Sequence, residues 1–238
     1  MAEMERLANH LGDIGAVCNE AAFAFMHAHF GVLHKDVLRA AKACFGHRLM
    51  MDKVIPGGVA ADLDADGFMV MEKLIVGLRE RLMKLMDVYD NSASLLDRTR
   101  KTGILSADLA RQFAAGGYVG RAAGRDFDAR RDLPCAPYDH LPFDVARLEA
   151  GDVDARIRIR MSEAMQSLTL YERIIRGMPE AIFSPDCPMR TARPPRAWLC
   201  ARASGAMFCC GRGWMAKGAS AAVTRAIPRC SSGRFWTR

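Results

Sequence analysis

Every acidic residue of this 238-residue chain lies within its first 188 positions. That part holds 27 Asp and Glu against 24 Lys and Arg, a net charge of −3, whereas residues 189–238 hold ten basic residues and no acid. At ordinary usage, an acid-free run of this length should arise roughly once in a thousand sequences. The break predicts two units, a core over 1–185 and a basic segment over 186–238.

Within the basic segment, residues 189–238 hold all three Trp, four of the eight Cys and a single Leu. Its Cys residues form no C-x₂₋₄-C pair and have no nearby His, which disfavours a metal module. Its basic residues are scattered singly, so they favour an arm for nucleic acid or anionic lipid only weakly. A third interpretation is a sequence that was never selected to fold. On that interpretation the segment is disordered and has no specific partner.

The first 185 residues carry helical periodicity and predict a mainly α fold with a helical-bundle core. Apolar residues at three- and four-residue steps predict one helix of about 25 residues over Leu7–His29. A second helix is predicted over Asp36–Met51, ahead of the turn at Pro56-Gly57-Gly58. A third, long one covers Asp62–Tyr89.

Shorter patterns follow. Ser106 is expected to cap a short helix that ends near Ala114. Residues 115–142 are rich in Gly, Pro, Arg and Asp and predict a structured loop with little regular structure. Residues 155–160 alternate as a strand would, and a helical stripe then continues to about Met178.

Several classes of protein are excluded by what the sequence lacks. It has no apolar run long enough for a membrane span and no signal peptide, so we expect an intracellular chain without its own anchor. It has no G-x-G-x-x-G, phosphate loop, G-x-S-x-G or C-x-x-C motif. The sequence therefore offers no residues for nucleotide binding or thiol redox chemistry. His27 and His29 point to different faces of a helix and cannot chelate one metal. His10 and Asp13, one turn apart, could pair or face a partner, and we interpret them as a solvated polar edge.

Two segments are typical of functional sites. Residues 46–59 carry Arg48, Asp52 and a Pro-Gly-Gly turn, which presents a cation and backbone N–H groups, although a tight turn between packed helices explains it as well. Residues 117–134 combine three Gly, four Arg and three Asp, which predicts a buried or interfacial web of ion pairs in an ordered loop.

Together with the opening residues 4–16, these two blocks resemble the D subunit of respiratory complex I. The opening residues resemble still more closely the large subunit of membrane-bound, formate-hydrogenlyase-type Ni–Fe hydrogenases. Residues 137–139 and 152–166 also fit. The blocks occur in the family's order, and the resemblance covers about residues 3–180.

The resemblance implies a peripheral oxidoreductase subunit that docks on an iron–sulfur small subunit beside a membrane arm. It implies electron transfer to quinone or protons, with quinone, NAD(H) through the complex, or a Ni–Fe centre as cofactors. It places the subunit on the cytoplasmic side of the inner membrane, or in the cytoplasm if unassembled, with membrane contact only through the complex and no nucleic acid. The resemblance also implies which residues face the quinone or the iron–sulfur subunit: Arg48, Pro56, Gly57, Gly58, Val59, Arg121, Gly124 and Asp126.

The sequence departs from the family pattern at its ligands. The Cys pairs of the hydrogenases and the His-Arg-Gly loop of the quinone site are missing, Met50 stands where complex I relatives commonly have His, and Cys135 stands where many have an aromatic residue. We therefore expect a truncated fragment with no catalytic residue, no metal and no cofactor of its own, inactive alone. The alternative is a non-enzymatic helical binding protein with a basic arm for nucleic acid or anionic lipid.

The basic segment has one further explanation. Residues 198–237, back-translated mostly with G- or C-ending codons and read in the next frame, give A-L-C-E-G-F-R-G-D-V-L-L-W and a later R-D-P-S, which resembles the family's continuation. We therefore hypothesise a frameshift between about Pro185 and Trp198.

The frameshift hypothesis makes a prediction about the codons of the coding DNA. Sequencing across the segment should show codons that continue the family in the shifted frame. Codons that are incompatible with that second frame would remove the hypothesis and leave the basic arm as the explanation of the segment.

Overall fold

A computed structural model describes residues 1–55, 58–134 and 137–177, together with three short strands farther along the chain. Eight helices lie in the first three ranges: α1 (Ala2–Glu20), α2 (Ala24–Phe45), α3 (Ala65–Asp90), α4 (Ala93–Thr99), α5 (Ala107–Gln112), α6 (Gly117–Ala122), α7 (Ala129–Asp132) and α8 (Val153–Arg176). The mainly α prediction is confirmed.

Two small antiparallel sheets accompany the helices. Strands β1 (Val54–Ile55) and β2 (Gly58–Val59) form a hairpin after α2, in which Val54 pairs with Val59. Strands β3 (Trp198–Ala203), β4 (Ala206–Gly211) and β5 (Thr224–Arg225) form a sheet in that order, with Trp198 opposite Gly211. Most of the basic segment lies outside the described residues, so its predicted disorder stays a prediction.

The core is a bundle of the four long helices. Helix α1 packs against α2 and α8, and α3 packs against the same two helices. Their buried side chains form one continuous apolar cluster that includes Leu11, Ile14, Phe30, Leu78 and Leu168. The long helices therefore form by burying one apolar stripe each, as their periodicity predicts.

The single predicted helix over Leu7–His29 is wrong. The chain turns between α1 and α2 at Ala22, whose φ of 58° is left-handed, and the N–H of Phe23 donates to the carbonyl of Cys18 at 2.9 Å. The apolar stripe of α1 continues in sequence across this turn, but Phe25 and His29 are exposed. Helix α2 buries Met26, Phe30, Leu33 and Val37 instead.

Helix α8 corrects a second expectation. Residues 155–160 are helical, although they alternate as a strand would. The helix runs through the interior, and more than half of its residues are buried, on several faces. A helix enclosed in this way has no polar face to mark its period, so its start is indistinguishable from a strand in the sequence.

The start of α8 is fixed by Gly151 and Asp152. Gly151 has a φ of 67°, and a Cβ at that position would collide with the carbonyl oxygen of Leu105, so only glycine fits. The Asp152 carboxylate caps α8 by accepting the N–H of Ala155 at 2.8 Å, and its other oxygen accepts the N–H of Lys101 at 2.9 Å. The loop before α5 is thereby joined to the beginning of α8.

The second predicted helix, Asp36–Met51, is not a separate helix, because residues 36–45 are the second half of α2 and the chain leaves the helix at Gly46. The predictions for α3 and α5 are confirmed with shifts at their ends. Helix α3 covers most of Asp62–Tyr89 and is capped by Asp64, whose carboxylate accepts the N–H of Gly67 at 2.7 Å. Ser106 caps α5 by accepting the N–H of Leu109 at 3.3 Å. Residues 115–142 hold the short helices α6 and α7 and are therefore more regular than predicted.

Candidate functional site

Charged side chains are buried together where α1, α8 and the segment of α6 and α7 meet. Three carboxylates and three guanidinium groups form this buried charge cluster, and each side chain is at most 8% exposed: Glu3, Asp128, Glu163, Arg6, Arg121 and Arg130. Burying an unpaired charge destabilises a fold by roughly several kcal/mol. The cluster can be buried because it holds as many positive as negative side chains.

Glu163 on α8 is the centre of the cluster. One of its oxygens, Oε1, accepts the Nε–H of Arg121 at 2.5 Å. The other, Oε2, accepts from Arg6 at 3.0 Å and lies 2.9 Å from Nε2 of His10. One carboxylate thus joins α8 to both α1 and α6.

Arg130 on α7 forms the second junction. Its Nε and Nη2 donate to the two oxygens of Asp128 at 3.2 and 3.1 Å, the bidentate geometry that guanidinium groups favour. Its Nη1 donates to Glu3 Oε1 at 3.0 Å, and the hydroxyl of Tyr138 donates to the same oxygen at 2.7 Å. The guanidinium also stacks over the ring of Phe143, 4.5 Å from its centroid. These contacts fasten α7 and the loop after it to the start of α1.

Arg160 extends the cluster to the surface. It lies 3.6 Å above the ring of Tyr118, contacts Nδ1 of His10 at 3.3 Å, and pairs with Asp13 at 2.6 Å. Interpreting His10 and Asp13 as a solvated edge is therefore wrong for His10, although Asp13 is exposed. His10 is only 3% exposed, and Arg160 connects it to Asp13.

The protonation states follow from these contacts. Burial alone would raise the pKa of Glu163, but the hydrogen bond from His10 and the charges of Arg121 and Arg6 outweigh it and lower the pKa to about 2. Burial lowers the pKa of His10, so its imidazole is neutral near pH 7. Nδ1 then accepts from Arg160, which leaves the proton of the ring on Nε2, 2.9 Å from Glu163, an assignment made from the partners.

Burial opposes the charged forms of Glu3 and Asp128 as well. The charge of Arg130 on Glu3, and its hydrogen bond to Asp128, more than compensate and lower the pKa of each carboxyl. A general acid or base works best with a pKa near the working pH. The shifts of these carboxylates and of His10 all lead away from neutrality, so the cluster is suited to holding segments in place rather than to proton transfer.

The second predicted block, residues 117–134, enters this cluster directly. Arg121 is buried within it, as the predicted web of ion pairs requires. Gly124 follows with a φ of 86°, a left-handed conformation that favours glycine and turns the chain outward. Asp126 is exposed and pairs with Arg131 at 2.8 Å. The cluster therefore fixes one side of a turn whose other side faces the solvent.

The first predicted block lies elsewhere. Arg48 is exposed and lines a groove of about 190 Å³ between α1 and α2, beside His34. Pro56 and Gly57 lie outside the described residues, and Gly58 and Val59 form β2. Exposed apolar side chains cover this block: Leu49, Met51, Val54, Ile55 and Val59. We call these five residues the hairpin surface.

Most of the cluster was not predicted residue by residue. Glu3, Arg6 and His10 recur at helical steps on α1, and Arg160, Glu163 and Ser167 do so on α8. Two such polar stripes beside apolar ones are a signal of facing helices, but a sequence does not show which stripe is buried. Within the described ranges, no three His, Cys, Asp or Glu side chains are arranged to hold a metal ion. Every helix there falls short of the length and apolar character that spanning a bilayer demands.

A family model for the respiratory-chain NADH dehydrogenase 49 kDa subunit matches residues 22–208, more than half of the chain. The chain belongs to this family. The matched residues begin in the turn before α2 and extend into the basic segment, as far as β4.

Two curated relatives are about 30% identical to this chain over the residues that align. The carbon monoxide-induced hydrogenase of Rhodospirillum rubrum is 32% identical over 182 residues, which are 75% of this chain and 50% of that protein. The D subunit of the NADH-quinone oxidoreductase of Desulfotalea psychrophila is 29% identical over 185 residues, 77% of this chain and 50% of its own length. The chain therefore spans about half the length of these relatives.

A solved structure shows the same fold. A chain of the membrane-bound sulfane sulfur reductase, an archaeal respiratory membrane complex, matches with a TM-score of 0.79 and 22% sequence identity. The match covers 88% of this chain and 58% of that one. The two chains thus share a fold at low sequence identity.

Glu163→Gln tests the cluster. The substitution removes the charge that Arg121 and Arg6 require, and breaking a buried ion pair typically costs about 3–5 kcal/mol. We expect a loss of that size in the free energy of unfolding, measured with denaturant at neutral pH. Glu172→Gln is the matched control. Glu172 lies on the same helix as Glu163 and pairs with Arg79 and Arg176, but its side chain is 31% exposed. The control should lose less than about 1 kcal/mol.

The difference in stability between the wild type and Glu163→Gln should depend on pH. The pKa of Glu163 falls from the ordinary value of 4.5 to about 2 on folding. The unfolded chain therefore binds the proton first, so the stabilisation is complete above about pH 4.5 and is lost as the pH falls toward 2. The glutamine of the variant has no proton to take up, so the difference between wild type and variant should shrink over that window. A constant difference, or equal losses for the two variants, would contradict the role given to Glu163.

Proposed function

We propose that this chain is the docking part of an oxidoreductase large subunit in a membrane-associated respiratory or hydrogenase complex. The observation that carries the proposal is the hairpin surface, five exposed apolar side chains within the eleven residues 49–59. Apolar residues gathered in this way on a folded surface mark sites of protein contact. They lie in the block whose resemblance points to the iron–sulfur small subunit.

The buried charge cluster supports the proposal from the other block. Arg121 is held by Glu163, while Asp126 remains at the surface. Loops that bind partners are usually positioned by a rigid scaffold, and the cluster supplies one for this turn. The two blocks together would present one apolar and one polar contact to the iron–sulfur small subunit.

The whole complex, not this chain, would carry the reaction. By resemblance, electrons pass to quinone or to protons, with NAD(H) acting through the complex or with a Ni–Fe centre whose Cys ligands are absent from this chain. The chain itself is proposed to contribute no catalytic residue and no metal ligand. It would reach the cytoplasmic face of the membrane only through its partners, and residues 186–238 would take no part in docking.

Val54→Glu tests the docking role. Val54 is 72% exposed, so a glutamate there should leave the fold intact but place a charge in the proposed contact. Co-expressed with a tagged iron–sulfur small subunit, the variant should co-purify at least about tenfold less than the wild type. Val76→Glu is the matched control, because Val76 on α3 is 70% exposed and lies outside the hairpin surface. Equal recovery of both variants, or no recovery of the wild type, would overturn the proposal.

A further inference from the structure

The turn between α2 and β1 is organised by one imidazole. Nδ1 of His47 accepts the backbone N–H of Leu49 at 3.2 Å and that of Met51 at 3.3 Å. The carbonyl of the same residue accepts the N–H of Met50 at 3.0 Å. A ring nitrogen can accept only while it carries no proton, so both Nδ1 bonds require the neutral imidazole.

The backbone of this turn needs such support. Met50 and Asp52 have φ values of 52° and 57°, in the left-handed region that residues with a side chain seldom adopt. Two left-handed residues within three positions are stable only when surrounding contacts hold them. The imidazole holds the N–H groups directly before and after Met50.

The turn determines where the hairpin surface lies. Two of the five apolar residues of that surface, Leu49 and Met51, supply the bonded N–H groups. Arg48 lies between the imidazole and Leu49 in sequence, and β1 begins two residues after the left-handed Asp52. A change in the hydrogen bonds of His47 should therefore affect the positions of Arg48 and of the hairpin surface together.

We propose that His47 is a proton-sensitive positioning residue for the hairpin surface. While neutral, it fixes the turn, and once protonated it releases the N–H groups of Leu49 and Met51. Its consequence for docking rests on the proposed function, but the change in the turn does not.

The charged neighbours are on the turn and on the two helices it covers. Arg48, Asp52 and Lys53 belong to the turn, and Lys42 lies in the last turn of α2. Glu5 of α1 and His34 of α2 line the groove that Arg48 and Leu49 also line. Variants at these positions would change the field at the imidazole without removing its acceptor.

Amide hydrogen exchange of the full chain tests the proposal. In the wild type, the N–H groups of Leu49 and Met51 should exchange about two- to tenfold faster, relative to intrinsic rates, at about pH 5.5 than at about pH 7.5. The N–H of Ala60, which donates to the carbonyl of Lys53 in the same hairpin, is the internal reference and should not change. His140→Ala, at an exposed histidine paired with Asp139, is the control variant.

Two variants at position 47 separate titration from structure. His47→Asn keeps an acceptor near the position of Nδ1 but takes up no proton, so both N–H groups should stay protected at both pH values. His47→Ala should lose the protection at both. Protection that does not change with pH in the wild type, or that persists in His47→Ala, would overturn the proposal.

The experiments distinguish a failure of the docking role from a failure of the role of His47. If exchange follows the prediction but the iron–sulfur small subunit does not bind the wild type, His47 controls the turn and the proposed function is wrong. If the subunit binds and exchange does not change with pH, the proposed function stands and this inference falls.

Discussion

The contact of Glu163 with Arg121, Arg6 and His10 is the interaction on which the site depends. It places a carboxylate from the most buried helix against groups from α1 and α6, which are more than a hundred and about forty residues away in sequence. The apolar core explains why the four long helices pack. It does not explain why the short segment of α6 and α7 adopts one position, because few of that segment's side chains are apolar and buried. Directional charge pairs supply that position.

Such a cluster is weak evidence for stability. Well-packed apolar side chains often stabilise a core as well as buried ion pairs do, so an equal number of carboxylates and guanidinium groups is better understood as a device for specificity. Each charge accepts only a partner of opposite sign at a fixed distance. Here the effect is that the Gly124–Asp126 turn keeps one orientation at the surface. The hairpin surface is different, because its turn depends on a single titratable ring.

The sequence predicted a good deal of this fold and less of the site. Long apolar stripes located α3, and capping residues located the start of α5, because both depend on local pattern. The break at Ala22 could not be predicted, since the stripe of α1 happens to continue across it. The start of α8 could not be predicted either, since a helix buried on several faces has no amphipathic period.

The charge cluster shows the same limit. The loop composition indicated a web of ion pairs, and Arg121, Asp128 and Arg130 are in it. Their partners Glu3, Arg6 and Glu163 come from helices at the two ends of the core, and pairing at that separation is a property of the packed structure. The block of residues 46–59 was recognised by its resemblance to a family block, but its exposed apolar surface and the role of His47 become visible only in the structure.

A double-mutant cycle between Arg121 and Glu163 tests the central claim most directly. The free energies of unfolding of Arg121→Met, Glu163→Gln and the double variant would be measured against the wild type. Because each single change leaves a buried charge without its partner, the double variant should lose less than the two singles together, by about 1 kcal/mol or more. Losses that add within about 0.5 kcal/mol would show two independent sites and contradict a single buried charge cluster.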